Sequence, residues 1–292
     1  MRRGRVSLVG AGPGAPKLLT IKAQKRLREA DLVIYDTLAN PEHLQHVPPS
    51  ARTLCVGEGF RHKKISQDRI NRMILEHARK GKHVVRLKGG DPYLFGRGGE
   101  EALLMVEHNI PFEVIPGVTS ATGCATYAGI PLTHREHNSS VTFLTGHRAE
   151  DGTLDTIDWA KIVSLQGTIV IYMGFYNLRK IAELLIRHGL DPRTPAAVIE
   201  WGTLPRQRSC DSGLSTIADA VEKRSFKAPC IIIIGDLVKL RSKLNWFERL
   251  PLFGKTVLVT RMREKAGALS DKFRELGASV WELPVIEIQK RP

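Results

Sequence analysis

Short runs of aliphatic and β-branched residues alternate with helical patterns through the first half of this chain, and this alternation limits the possible folds more than any other feature. The order is VSLVG, TIKAQKRLREA, DLVIYD, SQDRINRMILEHARKG, HVVRLKGGD, GEEALLMVEHN and FEVIPG. Strands separated by helices form βαβ crossovers, which leave the strands parallel. The pattern therefore predicts an α/β fold with a mainly parallel sheet.

One helix of this half carries a clear apolar face. Apolar residues recur after Ser66 at spacings of three and four, while charged residues occupy the other faces. Ser66 is a plausible N-cap of this helix, and Gly81 is a plausible stop at its C-terminal end. The residues that form the apolar face are Ile70, Met73, Ile74 and Ala78.

The second half contains strand signals of a different kind. After the polar segment PLTHREHNSS at 131–140, strands are predicted at VTFLTG, GTIVIYMG, AAVIE and APCIIIIGD, with a hairpin-like stretch at TLPRQRSCDSGL. Fewer clean crossovers favour a mixed sheet. The tail adds one strand and helix pair, KTVLVTR and EKAGALSDKFRELG, and then SVWELPVIEI. We predict domains at 1–135 and 136–245, with a linker and the start of a further domain at 246–292.

Charge and cysteine usage restrict the class of protein. The 44 basic and 30 acidic side chains leave a net charge of +14, which favours an anionic partner such as nucleic acid, an acidic membrane surface, a polycarboxylate or a phosphate. The cysteines show no zinc-ligand spacing and are predicted to be buried, reduced thiols: Cys55, Cys124, Cys210 and Cys230. No apolar run approaches the ~18 residues of a membrane span, and the start lacks a signal-peptide pattern, so we predict a soluble, cytoplasmic protein.

The first glycine cluster, GAGPGA at 10–15, directly follows the first strand, where glycines let a ligand approach the backbone. It fits a relaxed dinucleotide fingerprint, and Asp36 stands roughly where a Rossmann fold keeps its ribose-binding acid. A nicotinamide or flavin enzyme is therefore one alternative. Pro13 and Pro16 weigh against it, because helical periodicity resumes only from about Thr20. A strand-to-helix turn that needs positive φ is an equally good interpretation of the cluster alone.

Further small residues follow two other strands. The cluster KGGDP at 88–92 ends the strand HVVRL, and ligands of open α/β sheets bind beyond the carboxyl ends of strands. Arg97 has the fork geometry that suits a carboxylate, although it could instead pair with Glu100 or Glu101. Thr119 and Ser120 lie between a strand and a helix, as N-caps, ligand contacts or both.

These motifs together, in this order, resemble the uroporphyrinogen-III C-methyltransferases of the tetrapyrrole methylase family. The motifs are GAGPG with LLT, YDTL, LKGGDPYLFGRGGEE, FEVIPGVTSATGCATYAGIPLTHR, TGH, YMG and EWGT. The resemblance covers residues 1 to about 245. It implies two α/β domains with a cleft between them, the first with helices on both faces of its sheet and the second with a mixed sheet. The remaining residues resemble the beginning of uroporphyrinogen-III synthase, too short for a second active site.

The resemblance also implies a reaction. S-adenosylmethionine would bind in the cleft of a homodimer and methylate uroporphyrinogen III at C2 and then C7, giving precorrin-2 through precorrin-1 and leaving S-adenosylhomocysteine. The product would feed sirohaem or cobalamin synthesis. The reaction would need no metal, and the protein would bind neither nucleic acid nor a membrane. Arg97 would face the tetrapyrrole. The implied contacts of the methyl donor are Pro13, Gly89, Gly90, Asp91, Leu94, Thr119, Ser120, Met173 and Gly202.

Methyl transfer leaves a positively charged macrocycle that must lose a proton, which calls for a carboxylate base. Asp36 in YDTL matches the family's candidate, and capping of the next segment is its alternative role. A basic site would concentrate a substrate with eight carboxylates. The candidate basic residues are Arg86, Lys88, Arg97, Arg135 and the run Arg61, His62, Lys63 and Lys64.

Two positions depart from the family pattern. The family commonly has Lys where this chain has Glu58, and Asp where it has Ala15. A protein that binds tetrapyrrole or S-adenosylmethionine without turnover is therefore another alternative. A third keeps the fold but methylates a later corrin, ribosomal RNA or a protein side chain. Dispersed basic residues, 6% aromatics and the lack of an RNA-binding signature weigh against RNA.

Overall fold

The computed structural model describes residues 4–57, 65–146, 154 and 156–285. It divides the chain into two compact units, Met1–Gly123 and Cys124–Pro292, called here the first and second units. The domain boundaries at 135/136 and 245/246 stay predictions. Glu58, the basic run at 61–64 and the TGH histidine at 147 lie outside the described residues.

The first unit contains a five-stranded sheet in which every strand pair is parallel, as the sequence predicted. The strand order is β3-β2-β4-β1-β5. The elements in chain order are β1 (Arg5–Gly10), α1 (Ile21–Arg28), β2 (Leu32–Tyr35), β3 (Arg52–Cys55), α2 (Gln67–Arg79), β4 (His83–Lys88), α3 (Gly98–Glu107), β5 (Phe112–Ile115) and α4 (Ser120–Tyr127), which ends in the second unit. Short 3-10 helices at Pro16–Leu18 and Pro41–His46 complete the connections.

Helices cover both faces of this sheet because successive strand side chains point to opposite sides. On one face, Leu8 and Ile34 pack with α2 and α3. On the other face, Val9 and Val33 pack with α1. The family-implied arrangement of the first domain is therefore confirmed, and all of its parallel strands end at one carboxyl edge.

The second unit contains a mixed sheet, also as predicted. In the order β6-β7-β10-β8-β9, only β6 and β7 are parallel. A separate parallel pair, β11 with β12, carries the tail. The elements are β6 (Val141–Thr145), α5 (Trp159–Ser164), β7 (Thr168–Tyr172), α6 (Leu178–Arg187), β8 (Pro195–Glu200), β9 (Arg208–Gly213), α7 (Ile217–Lys223), β10 (Cys230–Ile234), α8 (Arg241–Leu244), β11 (Thr256–Val259), α9 (Arg263–Glu275) and β12 (Ser279–Glu282), with 3-10 helices at Phe175–Asn177 and Asp236–Leu240.

Some local features differ from the sequence predictions and others agree with them. Ser66 occupies the N-cap position of α2, but its side chain makes no capping hydrogen bond. The prediction of four buried thiols is wrong for Cys55 and Cys230, which are half-buried, while all four cysteines are free. Within the residues that the structure describes, no helix is both long and apolar enough to cross a bilayer.

Candidate active site at the carboxyl edge of the parallel sheet

The loops that follow β1 and β4 are joined by backbone hydrogen bonds. The Ala11 amide donates to the Lys88 carbonyl at 2.7 Å, and the amides of Gly12 and Gly90 each donate to the other's carbonyl, at 3.2 and 2.8 Å. The two loops meet because β1 and β4 are neighbouring parallel strands. Both glycine clusters therefore lie together at one edge of the sheet.

Glycine is required here by close approach of three backbone segments. A Cβ at Gly10 would lie 2.5 Å from the Gly117 nitrogen, and one at Gly117 would lie 2.2 Å from the Gly90 oxygen. Gly90 differs, because a Cβ there would meet nothing closer than the Ser120 nitrogen, at 3.8 Å, although its φ of +67° favours glycine. A Cβ would therefore fit at Gly90, and its left-handed backbone rather than close packing is what favours glycine there.

The carboxylate of Asp91 ties two of these loops together. One of its oxygens accepts from the Tyr93 amide at 2.8 Å, and the other accepts from the Gly117 amide at 3.0 Å. Gly117 belongs to the loop between β5 and α4, so Asp91 fixes that loop against its own turn. The geometry gives Asp91 a positioning role, and its direct contact with a methyl donor stays a prediction.

The other donor-contact candidates of the first unit surround this edge. The Pro13 ring packs against Gly123 of α4, where an added Cβ would lie 2.5 Å from the Pro13 Cγ. Gly89 lies beside Leu38 of the YDTL segment, its built Cβ 3.2 Å from the Leu38 Cβ. Leu94 is half-buried in the turn that follows. Thr119 and Ser120 lie within reach of Gly90, at the start of α4.

Asp36 follows β2 at the same edge and forms an ion pair with a buried arginine. The Arg86 guanidinium contacts the Asp36 carboxylate at 2.5 Å and donates from Nε to Glu101 at 3.1 Å. Glu101 is fully buried and also accepts from Lys88, at 3.0 Å, and from Gln67, at 3.1 Å. Asp36 is therefore the partly exposed end of a buried charge network that runs from α3 across β4 to β2.

Arg86 and Lys88 belong to this buried network and do not face a substrate. Burial and the neighbouring charge of Arg86 lower the pKa of Lys88, although Glu101 acts in the opposite direction. Burial alone would lower the pKa of Arg86, but its ion pairs with Asp36 and Glu101 raise it. The expectation that Arg86 and Lys88 line a basic surface is wrong, because both are buried and paired. Arg135 is exposed, in the second unit.

Arg97 pairs with Glu100, as the alternative to substrate contact had anticipated. Its Nε and one terminal nitrogen donate to the two Glu100 oxygens, at 2.9 and 2.6 Å, and both side chains are more than half exposed. Its φ is +57°, in the left-handed region. An exposed pair of this kind is worth only about 0–1 kcal/mol, so an anionic ligand could displace Glu100. Contact with a tetrapyrrole stays a prediction.

Met173 and Gly202 follow two strands of the second unit. Met173 comes directly after β7, half exposed and with a φ of +52°. Gly202 follows β8, and its neighbours Trp201 and Thr203 both have positive φ. A Cβ added at Gly202 would lie 2.3 Å from the Cys124 sulfur. Left-handed backbone at bulky residues is uncommon and concentrates at functional sites. Both strand ends are therefore unusual, and their contact with the methyl donor stays a prediction.

One group of described side chains has metal-ligand spacing. The ligand atoms of His134, Glu136 and His137 lie within 4.8 Å of one another in the second unit. The Glu136 amide already donates to Nδ1 of His134 at 3.2 Å, and Glu136 and His137 are exposed. A metal bound there would have to replace this hydrogen bond and would remain open to solvent. The prediction that the reaction needs no metal stays a prediction.

Glu101, the centre of the charge network, was not predicted, although the sequence pattern of α3 contained a signal. The buried residues of α3 are Gly98, Glu101, Ala102 and Met105, an i, i+3, i+4, i+7 series with a carboxylate in it. A buried carboxylate needs partners, and two basic residues on the buried strand β4 provide them. Asn40 and His43, which contact the first glycine loop, were also missed.

Comparison with known proteins assigns the family. A family profile described as Tetrapyrrole (Corrin/Porphyrin) Methylases matches residues 5–218. The chain belongs to this family. This confirms the resemblance, the fold class and the expectation of a methyltransferase, and it decides against a dinucleotide oxidoreductase. In agreement, α1 begins only at Ile21, well beyond the first glycine cluster.

Two curated proteins are similar over most of the chain. Siroheme synthase of Saccharophagus degradans is 48% identical over 247 residues, which are 85% of this chain and 54% of that protein. Porphyrin biosynthesis protein HemD of Ruminiclostridium josui is 44% identical over 292 residues, which are 100% of this chain and 58% of that protein. The chain thus spans little more than half the length of either relative.

Solved structures also match, among them one that is covered over its whole length. Uroporphyrin-III C-methyl transferase from Thermus thermophilus, complexed with S-adenyl homocysteine, is 39% identical and covers 81% of this chain and 100% of its own, with a TM-score of 0.70. The likeness to the beginning of uroporphyrinogen-III synthase in residues 246–292 stays a prediction.

Proposed function

We propose that this chain transfers methyl groups from S-adenosylmethionine to uroporphyrinogen III, first at C2 and then at C7, to give precorrin-2 through precorrin-1. The observation that carries the proposal is the convergence of the glycine loops after β1, β4 and β5. The similar enzyme from Thermus thermophilus, whose structure contains S-adenyl homocysteine, supports this choice of donor.

The residues at this edge suit a nucleoside-containing methyl donor. Gly89 and Gly90 expose backbone where a side chain would stand, and Asp91 holds the loop after β5 in place. We propose Pro13, Leu94, Thr119 and Ser120 as further contacts of the first unit, and Met173 and Gly202 as contacts from the second. Bound S-adenosylmethionine supplies an activated methyl group on a sulfonium, so the protein's main task is positioning.

The balance of the reaction requires a base. The attacking pyrrole carbon forms a bond to the methyl carbon, the methyl–sulfur bond breaks, and its electron pair leaves with S-adenosylhomocysteine. The methylated macrocycle then carries a positive charge until it releases a proton. We propose that the Asp36 carboxylate takes this proton, because it is partly exposed and Arg86 holds it at the carboxyl edge.

The chain's charge suits the proposed substrate, whose eight carboxylates make it a polyanion. A net charge of +14 raises the local concentration of such a substrate. Arg97 is the proposed direct contact, exchanging Glu100 for a substrate carboxylate. We propose that the product enters sirohaem or cobalamin synthesis. We also propose that the enzyme is a homodimer and acts in the cytoplasm.

An anaerobic assay with uroporphyrinogen III and radiolabelled S-adenosylmethionine tests the proposal. We expect two labelled methyl groups per macrocycle, and a fall in rate of about 100-fold or more for Asp36→Asn, typical of a lost general base. Glu42→Gln, at an exposed residue of the 3-10 helix that follows, is the matched control and should keep wild-type activity.

Methyl incorporation into a different acceptor would contradict the proposed substrate. Binding of S-adenosylmethionine without any incorporation would indicate a non-catalytic binder, with Glu58→Lys as the next variant. Full activity of Asp36→Asn would leave methyl transfer intact as a function but refute Asp36 as the base.

A further inference from the structure

We infer that Asn40 and His43 are positioning residues that set the shape of the first glycine loop, residues 11–14, for the methyl donor. The inference rests on the proposed function and extends it to a segment that touches no reacting atom. Asn40 begins the 3-10 helix Pro41–His46 and His43 lies within it. Both side chains donate to carbonyls of the loop.

His43 is a buried histidine whose ring forms a hydrogen bond to the first glycine loop. Only 1% of it is exposed, and its Nε2 lies 3.0 Å from the Ala11 carbonyl oxygen. A carbonyl oxygen only accepts, so Nε2 carries the proton of the neutral ring. Burial lowers the pKa of His43, although the hydrogen bond to Ala11 acts in the opposite direction, so the ring is neutral near pH 7. Core packing alone would be served better by an apolar side chain.

Asn40 holds the other end of the loop while it caps the helix. Its Nδ2 donates to the Gly14 carbonyl at 2.7 Å, and its Oδ1 accepts from the Glu42 amide at 2.9 Å. The side chain therefore uses its donor for the loop and its acceptor for the N-cap. A serine or aspartate would serve the cap, but only asparagine also provides the donor at this position.

Together with the bonds to β4, these contacts hold the loop from two sides. The carbonyls of Ala11 and Gly14 accept from the 40–43 segment, and Gly12 exchanges both backbone bonds with Gly90. The 40–43 segment follows Asp36 after a tight turn, in which the Asp36 carbonyl accepts from the Ala39 amide at 3.0 Å. The same segment thus connects the proposed base to the loop that would bind the methyl donor.

Calorimetric titration of S-adenosylhomocysteine separates a positioning role from a purely structural one. His43→Leu removes the donor and should weaken binding about five- to tenfold, the effect of about one hydrogen bond. His43→Gln places an amide N–H the same number of bonds from Cα and should restore binding to within about twofold. The KM for uroporphyrinogen III should not change in either variant.

Asn40→Asp provides a second test that keeps the cap. The acceptor for the Glu42 amide remains, but a carboxylate oxygen replaces the donor that faces the Gly14 carbonyl, so we expect at least about tenfold weaker binding. The matched control is His46→Gln in the same helix, because the His46 ring nitrogen lies 3.2 Å from the Gln24 amide nitrogen on α1. It should bind as the wild type does.

The outcomes separate the two proposals. Wild-type protein that does not bind S-adenosylhomocysteine would refute the proposed function and with it this inference. Wild-type binding that is unchanged in folded His43→Leu and Asn40→Asp would overturn the inference alone. A lower melting temperature with unchanged affinity would indicate that both residues serve stability only.

Discussion

Glu101 is the central carboxylate of the buried charge network in the first unit. It is fully buried between Arg86 and Lys88, and both cations are themselves buried. Asp36 supplies a second negative charge at the partly exposed end of the network, so two carboxylates balance the two buried cations. The network therefore fixes the candidate base and also penalises loss of any one partner.

Glu101→Gln should destabilise the chain strongly, because it keeps the side-chain shape but leaves two buried cations with one carboxylate. Removal of one partner from a buried ion pair typically costs about 3–5 kcal/mol. The adjacent Glu100→Gln removes only an exposed pair with Arg97 and should cost about 0–1 kcal/mol. Urea unfolding of both variants measures the difference, and similar free energies of unfolding would contradict the buried network.

Sequence patterns predicted single residues unevenly. The position of Asp36 after β2 followed from strand order, but its ion pair with Arg86 did not, because a periodicity shows which positions are buried and not which charges meet. The same limit explains why Arg86 and Lys88 were expected in a basic lining. They lie on β4, a strand on which every residue is buried.

At the level of elements, an acid–base cluster joins β5 to α1 near the opposite end of the sheet. Glu113 on β5 accepts from Arg26 on α1, from Lys22 at 3.1 Å and from Ser7 of β1 at 2.9 Å. The hydrogen bonds to Arg26 lower the pKa of Glu113 to about 2, against an opposing effect of burial. The cluster holds α1 on the face that it covers.

This cluster predicts how stability depends on pH. The pKa of Glu113 falls from its ordinary 4.5 to about 2 on folding, so its stabilisation is complete above pH 4.5 and is lost as the pH falls toward 2. Urea midpoints measured between pH 6 and pH 2 should therefore decline less for Glu113→Gln than for the wild type. Parallel pH curves for the two proteins would refute this role of Glu113.

Elements with a buried face were predicted, and the exception has a physical reason. Hydrophobic patterns in the sequence indicated β1, β2, β4 and β5, all with buried residues, but no such pattern marked β3. Three of the four β3 residues, Arg52–Leu54, are exposed. This edge strand is held by pairing with β2 alone, and such pairing leaves no hydrophobic pattern in the sequence.

For the whole molecule, the segment after β10 shows why a boundary is hard to read from sequence. Trp246 lies 5.1 Å from the Tyr127 ring, and Glu248 accepts from Gln207 at 2.9 Å and from Ser209 at 2.5 Å, all within the second unit. These contacts follow the predicted boundary at 245/246. Farther on, Trp281 of β12 is 68% exposed, although α9 packs against both strands of the β11–β12 pair.

The central claim is that the carboxyl edge of the parallel sheet binds the methyl donor, and hydrogen exchange of the full chain with and without S-adenosylhomocysteine tests it most directly. We expect slower amide exchange in three segments, 11–15, 89–91 and 117–121, which the backbone bonds of Gly12, Gly90 and Gly117 bring together. Saturating ligand that leaves these segments unchanged, or protects amides only elsewhere, would contradict the account.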